Sequence, residues 1–259
     1  IVNGAIRPNA QLGFNNYRAN EIFNTYYGIE PRLGTAYQIN SSSSLKGSYN
    51  RMYQYMNLIQ NTTASIGQEF WIPVDNYIKP QYADQVALGY FRNFFENQIE
   101  ASVEVYYKSM YNTPELIDNA DIGFNEAIES QLVLGRGRAY GSEFLIKKPK
   151  GKTTGWLAYT LAKSERRADN INNGDWYSFR FDRTHYLTLV VTHDFNERFT
   201  LAGNFIYATG EAVTAPVGTY TLNGNTLPLY SARNGVRIPA YHRADLSLTI
   251  NRKKVEGKT

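Results

Sequence analysis

Between Gln85 and Lys108 the chain alternates apolar and polar residues in two consecutive runs, with almost nothing between them. In the second run Ile99, Ala101, Val103, Val105 and Tyr107 fall on one side, and Glu100, Ser102, Glu104 and Lys108 on the other. Side chains of a strand alternate faces with a period of two, so one face is oily along its whole length and the other carries charge. The first run sets Val86, Leu88, Tyr90 and Arg92 against Ala87, Gly89, Phe91 and Asn93, and ends at Glu96-Asn97. Two long strands and a minimal turn predict a hairpin. Such a ribbon either rests on a soluble core with its charges in water, or faces lipid outside and water inside.

Composition leaves both options open. The 259 residues are 42% hydrophobic and 19% charged, with a mean hydropathy of −0.45. No apolar run is long enough for a helical membrane span. A barrel hides from this measure, because half of every strand is polar. Tyrosine is abundant, 21 residues against 3 Met, and amphipathic rings suit a membrane–water interface or a glycan-binding surface. Without cysteine there are neither disulfides nor thiolate metal sites. A net charge of +4 permits nucleic-acid binding without arguing for it, and no such partner is expected. The opening Ile1-Val2-Asn3-Gly4 lacks a signal-peptide pattern, so an envelope protein of this sequence is expected to be mature or a fragment.

Read in order, the alternation predicts ten strands, near 5–14, 29–39, 44–55, 85–94, 99–108, 138–148, 153–165, 183–195, 198–209 and 240–251. Their connections alternate in length. Residues 40–43, 96–97, 149–152 and 196–197 are short turns, whereas 15–28, 56–80, 111–137, 166–181 and 210–239 are long, 56–80 also irregular in pattern. A soluble sandwich has no reason to gather every long connection at one end. Up-and-down outer-membrane barrels do so, with short periplasmic turns and long extracellular loops. The fold class expected is therefore all-β, an antiparallel up-and-down transmembrane β-barrel, present as a partial barrel of about ten strands.

Candidate chemistry is sparse. His185 and His193 share a face but lie about 27 Å apart at strand rise, too far to bind one metal; His185 and His242 each open a strand, where an imidazole can hydrogen-bond at the rim. Glu100 and Glu104 are about 13 Å apart, beyond glycosidase carboxylate spacing. With Arg92, Glu143 and Asp245 they are expected to line a hydrated, salt-bridged lumen. Gly135-Arg136-Gly137-Arg138 lacks the strand-to-helix context of a phosphate loop. The lysines around 147–152 read as a solvated turn. No catalytic set, metal or cofactor can be nominated, so the chain is not expected to be an enzyme. Substrate contact falls to the loop aromatics Trp71, Tyr77, Trp176, Tyr177, Tyr220 and Tyr230, which lie beside Asn and Asp as rings that stack on sugars or a siderophore do.

Several stretches taken together resemble one family. They are Ser44-Leu45-Lys46-Gly47-Ser48-Tyr49-Asn50-Arg51, Ile78-Lys79-Pro80-Gln81 leading into Asp84-Gln85-Val86-Ala87-Leu88-Gly89-Tyr90, Gly137-Arg138-Ala139-Tyr140-Gly141-Ser142-Glu143, Phe181-Asp182-Arg183-Thr184-His185, and Tyr241-His242-Arg243-Ala244-Asp245-Leu246. In this order they are similar to TonB-dependent outer-membrane receptors, in the style of the Bacteroidota type. Each is weak alone; order and spacing carry the likeness. The resemblance implies a parent barrel of about 22 strands around a plug. On that reading residues 1–259 are one partial barrel domain, from the C-terminal part, without plug or final hairpin. It further implies import of a siderophore, glycan or peptide across the outer membrane, coupled through the plug to TonB–ExbB–ExbD. The implied surroundings are the bilayer and lipopolysaccharide, with a surface lipoprotein or other outer-membrane subunits as further partners. Two other readings stand beside it: a structural barrel subunit of a larger outer-membrane complex, and a surface glycan-binding β-protein.

Overall fold

A computed structural model describes residues 18, 20–22, 24–60, 69–118, 120 and 128–252. Nine long strands form one antiparallel wall: β1 Arg32–Asn40, β2 Ser43–Gln54, β3 Gln81–Phe94, β4 Ile99–Leu116, β5 Leu132–Lys148, β6 Thr153–Arg167, β7 His185–Asp194, β8 Phe199–Ala208 and β9 Tyr241–Ile250. Each pairs with its neighbour in chain order, a meander without crossovers. The two-residue strand Tyr177–Ser178 extends the sheet beside the end of β6. The first expected strand, near 5–14, lies outside the described residues.

Because the order is sequential and antiparallel, alternate connections share an edge. The connections 41–42, 95–98, 149–152 and 195–198 make one rim, and 55–80, 117–131, 168–184 and 209–240 the other. This is the sidedness expected from the sequence. At the β3–β4 turn Phe95, Glu96 and Asn97 all take left-handed backbone, which closes the hairpin in four residues.

Register assigns the faces. One continuous row crosses eight strands as Leu45, Tyr90, Val103, Phe144, Tyr159, Leu187, Tyr207 and His242. Adjacent rows on this face carry Leu88, Val105, Ile146, Leu157, Leu189 and Phe205. Among the described residues nothing lies over these side chains, and Leu246 on β9 is 82% exposed. An uncovered apolar face of this extent is far larger than a water-soluble monomer shows, and lipid is what covers it in a membrane wall. The opposite face carries Glu100, Ser102, Glu104 and Lys108, with Ala139, Glu143 and Lys147 across from them. Tyr82 and Phe94, near the two ends of β3, lie twelve residues apart, roughly 40 Å along a strand. Tilted by about 45°, that is close to the height of an outer-membrane apolar band and its aromatic girdles.

Two expectations are corrected. First, β4 and β5 are longer than the alternation implied, reaching Leu116 and starting at Leu132, so the 111–137 segment shrinks to 117–131. A bulge hides this: register slips between Tyr111 and Thr113, with Asn112 at φ 55°. One extra residue offsets the apolar/polar alternation. Second, the described parts of the long connections hold regular structure, including the 56–80 segment expected to be irregular. The first contains a hairpin, Met56–Gln60 with Glu69–Pro73. The last contains another, Pro216–Leu222 with Asn225–Tyr230, turned by Asn223-Gly224 with both residues at positive φ. A short pairing, Ala212–Val213 with Val236–Arg237, closes the base of that loop.

The buried core lies at the loop rim. One cluster joins Ile59, Ile72 and Ile78 of the first long connection to Leu116 and Leu132. A second joins Val133 to Ala168, Ile171 and Tyr177. The wall is thus capped by loops that have cores of their own.

Candidate functional site: the loop cap and the polar face

Charged side chains lock the cap. Arg233, near the end of the 209–240 connection, donates to the Leu116 carbonyl at 2.7 Å and to Asp118 Oδ1 at 2.8 Å. Its neighbour Asn234 donates to the Ser178 carbonyl at 2.9 Å. Arg237 donates to the carbonyls of Asp182 (2.8 Å) and Gly210 (3.0 Å) and to the Asp182 carboxylate. Asp182 is 1% exposed and also accepts the Ser164 backbone N–H of β6. Arg183 bridges to Glu211 at 2.8 Å, and Arg180 reaches Glu69 at 3.2 Å. Buried charges persist only when paired and hydrogen-bonded, and here each arginine ties two connections into one unit. The Phe181-Asp182-Arg183-Thr184-His185 stretch is explained by this: Asp182 anchors the loop, and His185 takes up a 2.8 Å hydrogen bond with the Tyr159 hydroxyl.

Beneath the cap lies a cavity of about 160 Å³ walled by Asn57, Glu115, Arg166, Phe179 and Asn234. The bulge brings Thr113 and Glu115 onto the polar face, opposite Gly135 and Val133. Arg166 Nη1 lies 3.4 Å from Glu115, and its guanidinium covers the Phe179 ring at 4.4 Å. Its Nε, both side-chain polar atoms of Asn57 and the Oδ1 of Asn234 are buried with no hydrogen-bond partner among the described residues. Unmatched polar atoms at such depth are costly and mark a place built for water or a ligand. Tyr177 stands beside Glu115; burial, then that negative charge, pushes its hydroxyl far above the ordinary phenol range, so it remains a donor.

The expected substrate aromatics do not converge. Trp71 is 61% exposed on the Glu69–Pro73 strand, and Tyr77 is exposed nearby. Tyr220 and Tyr230 are exposed on the Pro216–Tyr230 hairpin. Trp176 is half-buried under the Arg138 guanidinium, 4.2 Å away, on the apolar side of the wall. Tyr177 is 4% exposed and belongs to the second core cluster, which removes it from any stacking surface. Sequence reasoning missed Asn57 and Asn234 because single polar residues in connections carry no periodic signal, and Arg166 because β6 runs to Arg167, past the expected end of the strand at 165.

Of the expected lumen residues, Glu100 faces Lys147 across the ladder with a 3.3 Å ion pair. Glu104 stands directly opposite Glu143 on the same face. Asp245 pairs with Arg243 at 2.8 Å. Arg92 is a correction: it pairs with Ala101, on the apolar face, and its guanidinium lies 4.8 Å over Phe94. There it snorkels toward the interface at the short-turn rim, where an arginine beside an aromatic belt is at home. No cluster of His, Asp or Glu able to hold a metal occurs among the described residues.

Comparison with known proteins agrees with this architecture. The profile of the family described as TonB dependent receptor-like, beta-barrel matches residues 2–256. No curated protein matches by sequence. Among solved structures the chain is similar to the ferric-catecholate import receptor Fiu from E. coli K12, with TM-score 0.56 and 15% identity over 86% of this chain and 28% of that one. It is also similar to the siderophore receptor PiuA from Acinetobacter baumannii (0.56, 17%, 86% and 29%). The ferripyoverdine receptor of Pseudomonas aeruginosa gives 0.54 at 14% identity, over 84% and 26%. The chain therefore spans less than a third of the length of these receptors. At such identities the likeness establishes the barrel fold, and the profile match over nearly the whole chain establishes kinship: this chain belongs to the TonB-dependent receptor β-barrel family.

Proposed function

We propose that this chain is the wall and outer cap of an outer-membrane transporter that imports an anionic, ring-bearing nutrient of the ferric siderophore class. Energy comes from TonB–ExbB–ExbD acting through a plug held against the polar face. The loops bind cargo and the wall does no covalent chemistry. The observation that carries the reading is the capped cavity: Arg166, 3.4 Å from Glu115, keeps an unpartnered Nε donor, Asn57 an unpartnered Nδ2 donor, Asn57 and Asn234 unpartnered Oδ1 acceptors, and Phe179 gives an aromatic wall. The donors suit anionic oxygens carried on a ring, and the amide oxygens suit its hydroxyls. The relatives' cargo, ferric catecholate and ferripyoverdine, has the same class.

The test is growth of a deletion strain on single iron sources, complemented by the full-length gene or by Arg166→Met. Loss of growth on a ferric chelate, restored by wild type and reduced by the variant, supports the proposal. Unimpaired growth on every iron chelate defeats the siderophore assignment.

A second reading, a receptor with a stoichiometric surface partner, is favoured by one feature. The Pro216–Tyr230 hairpin exposes Val217, Tyr220, Leu222 and Leu229 together. Purification in mild detergent separates the two, since a partnered barrel brings a second polypeptide in equal amount and a solitary receptor does not.

A further inference from the structure

Among the described residues that wall the capped chamber, Glu115 is the only acid, and it faces the guanidinium that a ligand would use. Register explains how the two meet although β5 runs between their strands. Thr113 and Glu115 turn inward above the bulge, and Arg166 stands opposite Gly137. A Cβ on Gly137 would come within 3.1 Å of Arg166 Cδ, so the missing side chain leaves room for the arginine stem. Both charged side chains are 11% exposed, with 3.4 Å from Arg166 Nη1 to Glu115 Oε1. A charge-assisted bond is shorter, about 2.7–2.9 Å. The pair attracts without bonding closely, and Arg166 Nε has no partner among the described residues.

Glu115 stands where charge is costly. It lies four residues beyond Tyr111, roughly 13 Å along the strand and so above the aromatic belt. Burial pushes its carboxyl above the usual carboxylate range, against the pull of Arg166 on β6, Arg233 of the last connection and the Tyr177 hydroxyl beside β6. Asp118 shares the Arg233 charge at 2.8 Å, and Lys108, lower on β4, adds positive charge near Arg166. Arg166 is thus the strongest support for an ionised Glu115. An anionic oxygen that docks on Arg166 competes for that support and sets a second negative charge beside the carboxylate. Like charges so close in a closed chamber do not both stay ionised. Once protonated, a carboxyl turns from an acceptor into an O–H donor.

We propose that the chamber takes up one proton together with its anion, and that Glu115 is the specificity-determining residue that receives this proton from solvent and donates the resulting O–H to the ligand. The proposal rests on the chamber being a ligand site and adds what the site demands of an occupant. The ligand must present one acceptor oxygen to Arg166 Nε and another to Glu115. The pH dependence follows from reciprocity: a bound anion tightens the hold of Glu115 on its proton, so the proton tightens the hold on the anion. Affinity is full below the pKa of the empty site. It falls by as much as about tenfold per pH unit between that value and the higher pKa of the occupied site.

Calorimetric titration of the full-length protein in detergent provides the test. The probe is benzenesulfonate, a ring with anionic oxygens whose charge stays constant from about pH 5 to pH 8. Buffers that differ in ionisation enthalpy count the protons. Wild type should take up close to one proton and lose about tenfold in affinity per pH unit over part of that range. Glu115→Gln, neutral throughout, should bind with no proton uptake and one affinity at every pH. Wild-type affinity that is flat in pH overturns the proposal, as does a slope retained by Glu115→Gln, which would put the proton elsewhere. Should the variant not fold, infrared difference spectra of wild type decide: a protonated-carboxyl band that appears with benzenesulfonate supports the proposal, and its absence overturns it. No binding at any pH, or binding that Arg166→Met leaves untouched, removes the chamber from the cargo site and this proposal with it. Binding that is independent of pH yet abolished by Arg166→Met overturns the proton coupling and leaves the chamber as a ligand site.

Discussion

Replacing Arg237 with alanine tests whether the cap is held by charge. The change removes three hydrogen bonds and leaves the Asp182 carboxylate, 1% exposed, with the Ser164 N–H as its remaining bond among the described residues. Removing one partner of a buried pair costs about 3–5 kcal/mol. Arg237 itself is about a third exposed, and water can follow the vacated side chain, so about 3 kcal/mol is the appropriate end of that range. Local opening of the cap should then become about a hundredfold more frequent, at a factor of ten per 1.4 kcal/mol. Hydrogen–deuterium exchange read by mass spectrometry measures this by segment. Amides of 177–184 and 209–213 should exchange about a hundredfold faster, while β1 to β4 remain unchanged. The double variant Arg237→Ala with Asp182→Asn should recover part of the loss, because no unpaired charge is left behind. An increase under about threefold, or one confined to residues 236–238, would refute a charge-locked cap.

Sidedness gives a matched pair of substitutions. Val103→Arg on the apolar row should cost about 2–4 kcal/mol near the bilayer midplane, and Ser102→Arg on the polar face less than about 1, in unfolding from lipid vesicles; equal costs would sink the face assignment. At the bulge, Asn112→Gly should cost about 1 kcal/mol through loss of the side-chain bond to the Pro80 carbonyl, and Asn112→Ala about 1 kcal/mol more, because its φ of 55° suits glycine or asparagine. Trp71→Ala should leave the melting temperature unchanged while weakening chelate binding measured by tryptophan-independent calorimetry; unchanged affinity removes Trp71 from the cargo surface.

The wall was legible wherever burial on one face enforces a strict period of two. Residues 99–107 and 244–250 reveal their faces without ambiguity. Legibility stopped at Asn112, where a single spare residue broke the period although pairing continued to Leu116. The Asn223-Gly224 hairpin carries a local signal, an Asn-Gly turn, but its flanking strands are short and interrupted by prolines and glycines, so the segment shows in the sequence only as a long loop. Arg92 shows a different failure. Its parity put it with Tyr90, yet its charge drew it to the lumen, because an arginine can sit at a membrane's edge as readily as in water. The cap was out of reach for another reason: Arg237 and Asp182 are 55 positions apart, and no local pattern announces such a partnership.

Asn112 has a wider consequence for the shape of the mouth. Excising it would leave the ladder intact on paper, since Tyr111 would still meet Arg136 and Thr113 would still meet Gly135. What would vanish is the local coil that a supernumerary residue imposes, together with the tether from its side chain to the Pro80 carbonyl. The tall ribbon above would straighten and carry Leu116 and Leu132 away from Ile59 and Ile72. One surplus amino acid thus sets the lean of the turret, and with it whether the chamber below has a roof.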